Sequence, residues 1–306
     1  MILIEINYPG EEPINVLFTG DYNNKNEFLN LHELPMRVRN KKMSVVIEST
    51  YGDTSVEEIN HGFFSEKVLE AIEERKTIIL PVFSLGRSQE ILLRLKELQD
   101  TNKLDINVPI YFDGHLAHAY TSLYLDSEIL IDKSKRDFLP KNLFFVNSQS
   151  RNDLLEMDEC KIIVTTSGMG TYGPAQVYIP YFISKENALI LFTGYTAEGS
   201  FGANLRNAEE GEIVKVGGLI CKKFADVSYC NEFSAHAKSE ELIELLKKFN
   251  NLRGVLINHG QTETKDAFAE KILKEIDISE VGILNREYFF RIGSYGIIKT
   301  LSTKFK

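Results

Sequence analysis

Cysteine is scarce in this sequence, and so are long apolar runs. Its three cysteines, Cys160, Cys221 and Cys230, are an odd number without C-x-x-C spacing. That excludes a disulfide framework or a thiolate zinc site and leaves them as buried fillers. No segment has the apolar length that a bilayer span needs, and the opening MILIEINYPGEEP carries neither a basic flank nor a small-residue cleavage site. A cytoplasmic protein with no membrane partner is the expectation. Positive charge is in deficit as well: 35 Lys and Arg stand against 44 Asp and Glu, a net charge of −9. Such a chain does not grip nucleic acid over its whole surface, because phosphate binding rests on basic residues; a local basic groove is still allowed.

The chain does have 43% hydrophobic and 26% charged residues without a low-complexity tract, enough for one large core or two modest ones. The stretches SVVIES (44–49), TIILPVF (77–83), VPIYFDG (108–114), NLFFVNS (142–148), KIIVTTSG (161–168) and ALILFTG (188–194) are short apolar runs that stop at polar residues or glycine. They read as buried strands, several of them parallel. Between the second and third, RSQEILLRLKELQD repeats Ile91, Leu92, Leu95 and Leu98 at helical spacing, which makes a βαβ unit. KSEELIELLKKFNN carries a second helical stripe, with Ser239 as its expected N-cap, and feeds the strand of GVLINHG (254–260). ILIEINYPGEEPINVLFTG and EIVKVGGLICKKFADVSY read instead as antiparallel strands around turns. The fold class is α/β, with no internal repeat and no flexible linker.

Several polar residues sit where strands end. Asp21 follows LFTG, Glu48 ends VVIE, His259 ends VLIN, and His236 in EFSAHA stands just before a helix. Each alone has a plain structural explanation: a turn aspartate bonding its own backbone, a strand-end acid, a histidine flanking a helix. The glycine-rich SGMGTYG (167–173) and GYTAEGSFG (194–202) present backbone N–H groups that can cradle phosphate, and equally serve as tight turns.

Taken together, FTGDY, VVIESTYGD, ILPVFSLGRSQEIL, PIYFDGHLAHAYTSLY, TTSGMGTYGPAQVY, GYTAEGSFGANL, FSAHA and INHGQTE resemble, in that order, the β-CASP group of metallo-β-lactamase-fold nucleases. That group includes RNase J and the endonuclease subunit of the cleavage and polyadenylation machinery. The resemblance implies a partial metallo-β-lactamase αββα fold, residues 1–52 and 236–306, with an inserted β-CASP parallel-sheet domain, residues 53–235. It implies metal-dependent hydrolysis of RNA. Asp21 matches the aspartate that bridges two zinc ions and His259 the last histidine ligand of the second zinc. His236 matches the histidine that protonates the leaving oxygen, with Glu48 holding it. Two zinc ions lower the pKa of a shared water and clamp the attacking and leaving oxygens, and a carboxylate behind an imidazole fixes its tautomer. Ser234, Gly168 and Gly194 fall on the motifs that line the RNA cleft, and Arg87 and Arg206 are candidate phosphate contacts or ordinary salt-bridge partners.

The family's H-x-H-x-D-H motif and a further histidine stand upstream of TGD, whereas the six histidines here, His32, His61, His115, His118, His236 and His259, include no H-x-H pair. With two matching ligands, the chain by itself is expected to be inactive or incomplete, the missing ligands coming from truncated sequence or a separate chain. HLAH, with His115 and His118 on one helical face, is the nearest substitute, although the family opens a helix there instead. His32 and His61 read as surface residues. Gln261 stands where the family more often has glutamate, and SGMGTYG lacks the proline common after the serine. Three function classes stay open: a ribonuclease polypeptide, a non-catalytic RNA-binding scaffold, and a nucleotide-binding α/β domain that uses the glycine-rich loops. Ile4, Ile6, Val16 and Phe18 are expected to face an uncovered surface, so that the chain forms a homo-dimer or aggregates through residues 1–20.

Overall fold

Strands β1 (Ile2–Ile6) and β2 (Ile14–Phe18) pair antiparallel, with Ile4 opposite Val16. The turn between them passes through Gly10 at φ +79, a left-handed angle that glycine adopts without strain. A short helix, α1 (Met36–Arg39), leads into β3 (Lys42–Ile47), which joins β2 in parallel. In the computed structural model, residues 1–29, 31–126, 133–197, 199–216, 218–278, 280–285 and 288–301 are described. Its internal contacts divide into two units: Met1–Asn26, Leu31–Ile59 and Ala235–Lys306 make the first, Glu27–Asn30 and Asn60–Ser234 the second.

The second unit runs α2 (Phe63–Glu73), β4 (Thr77–Pro81), α3 (Arg87–Asp100), β5 (Ile110–Asp113), α4 (His115–Asp126), β6 (Leu143–Val146), α5 (Arg151–Glu156), β7 (Ile162–Thr165), α6 (Ala175–Phe182), β8 (Ala188–Phe192), α7 (Phe201–Arg206), β9 (Ile213–Val216), β10 (Leu219–Lys222) and β11 (Asp226–Tyr229). Six of these strands form a sheet in the order β11-β8-β4-β7-β5-β6, and every pairing in it is parallel. Helices cover both faces, which is why the central strands are continuously apolar. Ile78, Leu80 and Val164 pack under α2, α3 and α4 on one face, while Ile79, Ile163 and Ile190 pack under α5, α6 and α7 on the other. The sequence reading pairs the 212–229 stretch antiparallel throughout. Only β9 and β10 do so; β11 returns to the sheet edge parallel to β8, where Val227 and Tyr229 join the second core. Of the cysteines, Cys230 is buried, but Cys160 and Cys221 are only half-buried.

The first unit resumes with α8 (Ser239–Lys247), β12 (Asn251–Ile257), α9 (Thr262–Glu275), β13 (Val281–Ile283), β14 (Tyr288–Gly293) and β15 (Gly296–Leu301). Its five-stranded sheet has the order β1-β2-β3-β12-β13, with β2, β3, β12 and β13 parallel. Met43, Val45, Ile47, Val255 and Ile257 face α8 and α9. On the other face Val16, Val46 and Leu256 pack with Ile297 of the β14–β15 hairpin. Val16 is thus covered, contrary to the expectation for it, whereas Ile4, Ile6 and Phe18 are exposed. The N-cap of α8 is Lys238, not Ser239: Lys238 is extended, and its N–H donates to the Glu241 carboxylate at 2.9 Å, so the first helical residue is Ser239.

The unit edges depart from 52 and 236. Phe28 is buried between Tyr124 and Phe138 of the second core, at ring-centroid distances of 5.2 and 5.1 Å. Residues 53–56 stay with the first unit, because Thr264 donates to Asp53, Ser239 N–H to the Thr54 carbonyl and Val56 N–H to Glu240. Among the described residues no helix is long and apolar enough to cross a membrane.

Candidate functional site

Three neighbouring parallel strands of the first unit end at the same edge of their sheet. Register pairs Phe18 with Val46 and Ile47 with Ile257, so the residues just past β2, β3 and β12 emerge side by side. Those residues are Asp21, Glu48 and His259. A hydrogen bond from Ala237 N–H to the Tyr22 carbonyl, at 2.7 Å, brings His236 to the same place. Carboxyl ends of parallel strands are where an α/β sheet exposes polar groups to a ligand.

Glu48 is the buried floor. One carboxylate oxygen accepts from Tyr22 N–H at 2.6 Å, and the other from Thr50 N–H at 3.3 Å and from His236 Nδ1 at 2.7 Å. The charge-assisted bond to Glu48 raises the His236 pKa above the ordinary imidazole value; partial burial pulls it down. With Nδ1 carrying the proton toward Glu48, the tautomer of His236 is fixed. The Tyr51 ring stands edge-on to His236 at 6.3 Å, and the Lys238 ammonium lies over that ring at 3.5 Å.

His259 and Asp21 form the exposed rim, joined by a bond from Nδ1 to the aspartate at 2.9 Å. His259 has φ +52, in the left-handed region that residues other than glycine rarely enter, Asn, Asp and His more than the rest. Its carbonyl is held by Ser49 N–H and Ser49 hydroxyl, at 2.9 and 2.7 Å. Gly260 follows at φ +127, where a Cβ would stand 2.8 Å from the Ser49 carbonyl oxygen. The abrupt stop of VLINHG is therefore a backbone reversal, with the His259 ring bonded to Asp21 and 5.4 Å from the His236 ring. Ser49 was not singled out by sequence; it is one more polar residue after a strand, and its partner is 210 positions away. Beside Asp21 opens a groove of about 630 Å³ lined by Leu3, Tyr22, Leu34, Val38, Leu245 and Lys248.

Ligand atoms of Asp21, His236 and His259 all lie within 4.8 Å of one another, the one such set among the described residues. Two imidazoles and a carboxylate are a donor set that suits zinc, and three protein ligands with an open position is the arrangement of catalytic zinc sites. The residues present thus fit a metal ion. HLAH provides none: His118 Nε2 is bonded to the Phe112 carbonyl at 2.8 Å, and its ring packs on Phe112 and Phe145.

The remaining candidates lie in the second unit and are not gathered by it into one cluster. Arg87 is buried and points inward: its guanidinium donates to the Thr193 and Phe233 carbonyls and to Glu90, so it braces loops of the second unit. Arg206 is exposed, lies over the Tyr229 ring at 4.3 Å and donates to Thr196. Gly168 and Gly194 both lie against Phe83. In this sheet α3 leaves β4 for one face and α6 leaves β7 for the other, and the crevice between these two strands is where a doubly wound sheet would take a nucleotide. Phe83 stands just past the end of β4, partly exposed beside those two glycines. Ser234 is half-buried at the last position of the second unit.

A parallel-sheet unit inserted in the chain of an α/β unit whose strand ends gather two histidines and an aspartate is the architecture of a metallo-β-lactamase-fold protein. Two family models match: the Beta-Casp domain over residues 88–205 and the Zn-dependent metallo-hydrolase RNA specificity domain over residues 224–281. The chain belongs to the β-CASP group of metallo-β-lactamase-fold ribonucleases. It is similar to an RNase J-like protein of Methanocaldococcus jannaschii, 33% identical over 271 residues, which cover 86% of this chain and 62% of that protein. It is also similar to the transcription termination factor FttA of Methanosarcina mazei, 27% identical over 89% of this chain and 45% of the relative. RNase aCSPSF2 of Saccharolobus solfataricus is 27% identical over 87% of this chain and 52% of the relative. The chain thus spans about half to three-fifths of the length of these relatives.

Proposed function

We propose that this chain carries part of the metal centre of a zinc-dependent RNA phosphodiester hydrolase. The observation that carries the reading is the convergence of Asp21, His236 and His259 within 4.8 Å at the ends of parallel strands. Asp21 and His259 would hold the metal. A bound zinc ion supplies Lewis acidity and an activated water at such a site. Glu48 holds His236 at Nδ1 and raises its pKa, so that the imidazolium can give a proton to the leaving oxygen of a cleaved phosphodiester. Ligands for a second ion, which the family resemblance implies, would have to come from polypeptide outside these residues.

The short distance from His236 to the other two groups favours a second role for it, as third ligand to a single ion. One experiment separates the two: zinc content and RNA cleavage of wild type, His236→Ala and Asp21→Ala, measured alone and with any polypeptide that supplies further ligands. If His236 is a proton donor, His236→Ala keeps the zinc and loses roughly a hundredfold to ten-thousandfold in rate; if it is a ligand, zinc is lost as well. A wild-type chain that takes up no zinc and restores no cleavage in any of these mixtures would leave the scaffold reading, in which the chain binds RNA without cutting it. RNA is the proposed partner in either case. A second copy of the chain is proposed to pack against the exposed face of β1, and the cytoplasm is the proposed location.

A further inference from the structure

Strands β9 and β10 stand apart from the six-stranded sheet of the second unit and pair only with each other. Register sets Ile213 opposite Lys222 and Lys215 opposite Ile220, so these four side chains share one face of the hairpin. All four are exposed, Ile213 to 70% and Ile220 to 78%, while Val214 and Val216 on the other face are buried in the second core. Leu219 belongs by register to that inner face, opposite Val216, yet it is 58% exposed. The underside is therefore covered beneath β9 and open at the Leu219 end of β10, whose outer edge has no strand beside it among the described residues.

An unpaired strand edge accepts another strand, and the side chains on its face decide which one. The two strands contain no Asp or Glu. Neither Lys215 nor Lys222 has a carboxylate partner among the described residues, whereas Lys76 and Lys96 each hold two. Lys222 lies instead over the Phe224 ring at 5.1 Å. Glu212, just ahead of β9, is engaged locally and accepts from Glu209 N–H at 2.8 Å. The face thus presents two aliphatic side chains and two unpaired ammonium groups, in a chain whose net charge is −9. A second copy of the hairpin would set lysine near lysine and is repelled. RNA phosphates would suit the lysines, but they would leave both isoleucines wet and offer the strand edge no backbone ladder.

We propose that the β10 edge docks an extended segment of a partner protein in which aliphatic and acidic residues alternate along one face. The acidic residue lies opposite Lys222 and the aliphatic one opposite Ile220, while the backbone of the segment continues the ladder of β10. Lys215, on the neighbouring strand, adds to the positive potential that draws the segment in. This surface is independent of the metal site and of the RNA reading.

A short fluorescein-labelled peptide that repeats isoleucine, threonine, glutamate, threonine tests this by anisotropy with the full chain. It should bind, more weakly as salt rises, and the same peptide with lysine for glutamate should not. Lys222→Glu should weaken binding of the acidic peptide by roughly fivefold or more and should confer binding of the lysine peptide, an exchange that damage to the fold would not produce. Ile220→Thr keeps a β-branched residue in the strand and should weaken the acidic peptide by a similar factor. Equal binding of the two peptides by the wild-type chain, or an acidic peptide indifferent to Lys222→Glu, would overturn the proposal. So would a wild-type chain that binds neither peptide; if Lys222→Glu then abolishes oligouridylate binding or self-association, the edge serves RNA or a second copy instead.

Discussion

Ser49 grips the carbonyl oxygen of His259 with two donors, its backbone N–H at 2.9 Å and its hydroxyl at 2.7 Å. The residue so held has φ +52, a conformation that costs a non-glycine residue of order 1–3 kcal/mol and persists only where the surroundings enforce it. Function and local strain meet at this point, since the ring of this residue is a proposed metal ligand. Ser49→Ala should cost about 1 kcal/mol of stability for the lost hydrogen bond and should weaken zinc binding beyond that. Gly260→Ala should be worse, because its φ of +127 and the 2.8 Å approach to the Ser49 carbonyl leave no place for a methyl group. Urea denaturation and zinc calorimetry on the same samples check this. Unchanged zinc affinity in both variants would show that the reversal does not set the position of His259.

The Glu48–His236 pair makes a prediction in pH for the metal-free chain. The 2.7 Å bond to Glu48 raises the His236 pKa, so the folded state binds that proton more tightly than the unfolded state does. The resulting stability is complete below the unfolded value of about 6.5 and is lost as pH rises through the higher folded value. Glu48→Gln should remove this part of the pH dependence. Zinc binding should run the opposite way and strengthen as pH rises, because a ligating imidazole must be unprotonated. Denaturation midpoints from about pH 5.5 to 8.5, in chelator, provide the check, and a profile identical in Glu48→Gln would refute the coupling.

Phe28 belongs to a four-residue stretch that departs from the first unit and packs in the second. Its ring meets Tyr124 and Phe138 edge-on and is 1% exposed. Truncation of a buried phenylalanine typically costs about 3–5 kcal/mol, the lost transfer energy plus the cavity left behind. Phe28→Ala should therefore lower the stability of the second unit by that order. A change below about 1 kcal/mol in its denaturation would mean that the stretch is not part of that core.

These cases show what could be read from the residues and what could not. The helix α3 occupies Arg87–Asp100, the stretch whose Ile91, Leu92, Leu95 and Leu98 repeat at helical spacing, because periodicity is a local signal. Strands buried on both faces are legible for the same reason, and with them the positions of Asp21, Glu48 and His259 at strand ends. The inward turn of Arg87 depends on a carbonyl 106 residues away, and the grip of Ser49 on one 210 residues away. No local pattern encodes such partners. Phe28 was missed because a lone aromatic in a polar loop carries no period, and Val16 because the hairpin that covers it comes from the far end of the chain.

The exposed face of β1 leads to the last prediction. Register pairs Ile2 with Phe18, Ile4 with Val16 and Ile6 with Ile14, so these side chains share one face of the sheet. The β14–β15 hairpin packs on the Val16 end through Ile297, but Ile2, Ile4, Ile6 and Phe18 are exposed, and β1 is the outer strand with one edge unpaired in the sheet order. Burying such a side chain is worth about 1.5–3 kcal/mol, and natural edge strands usually carry a charge or proline to prevent pairing with another copy. Glu5 is the single charge on β1, and it is engaged by Lys41. The chain should therefore self-associate at concentrations of roughly tens of micromolar, and Ile4→Lys should return it to monomer without loss of stability, since it places an inhibitory charge on an already exposed position. Sedimentation velocity of the two proteins decides: a wild-type chain that stays monomeric, or an Ile4→Lys variant that associates equally, would show that this face is not the contact.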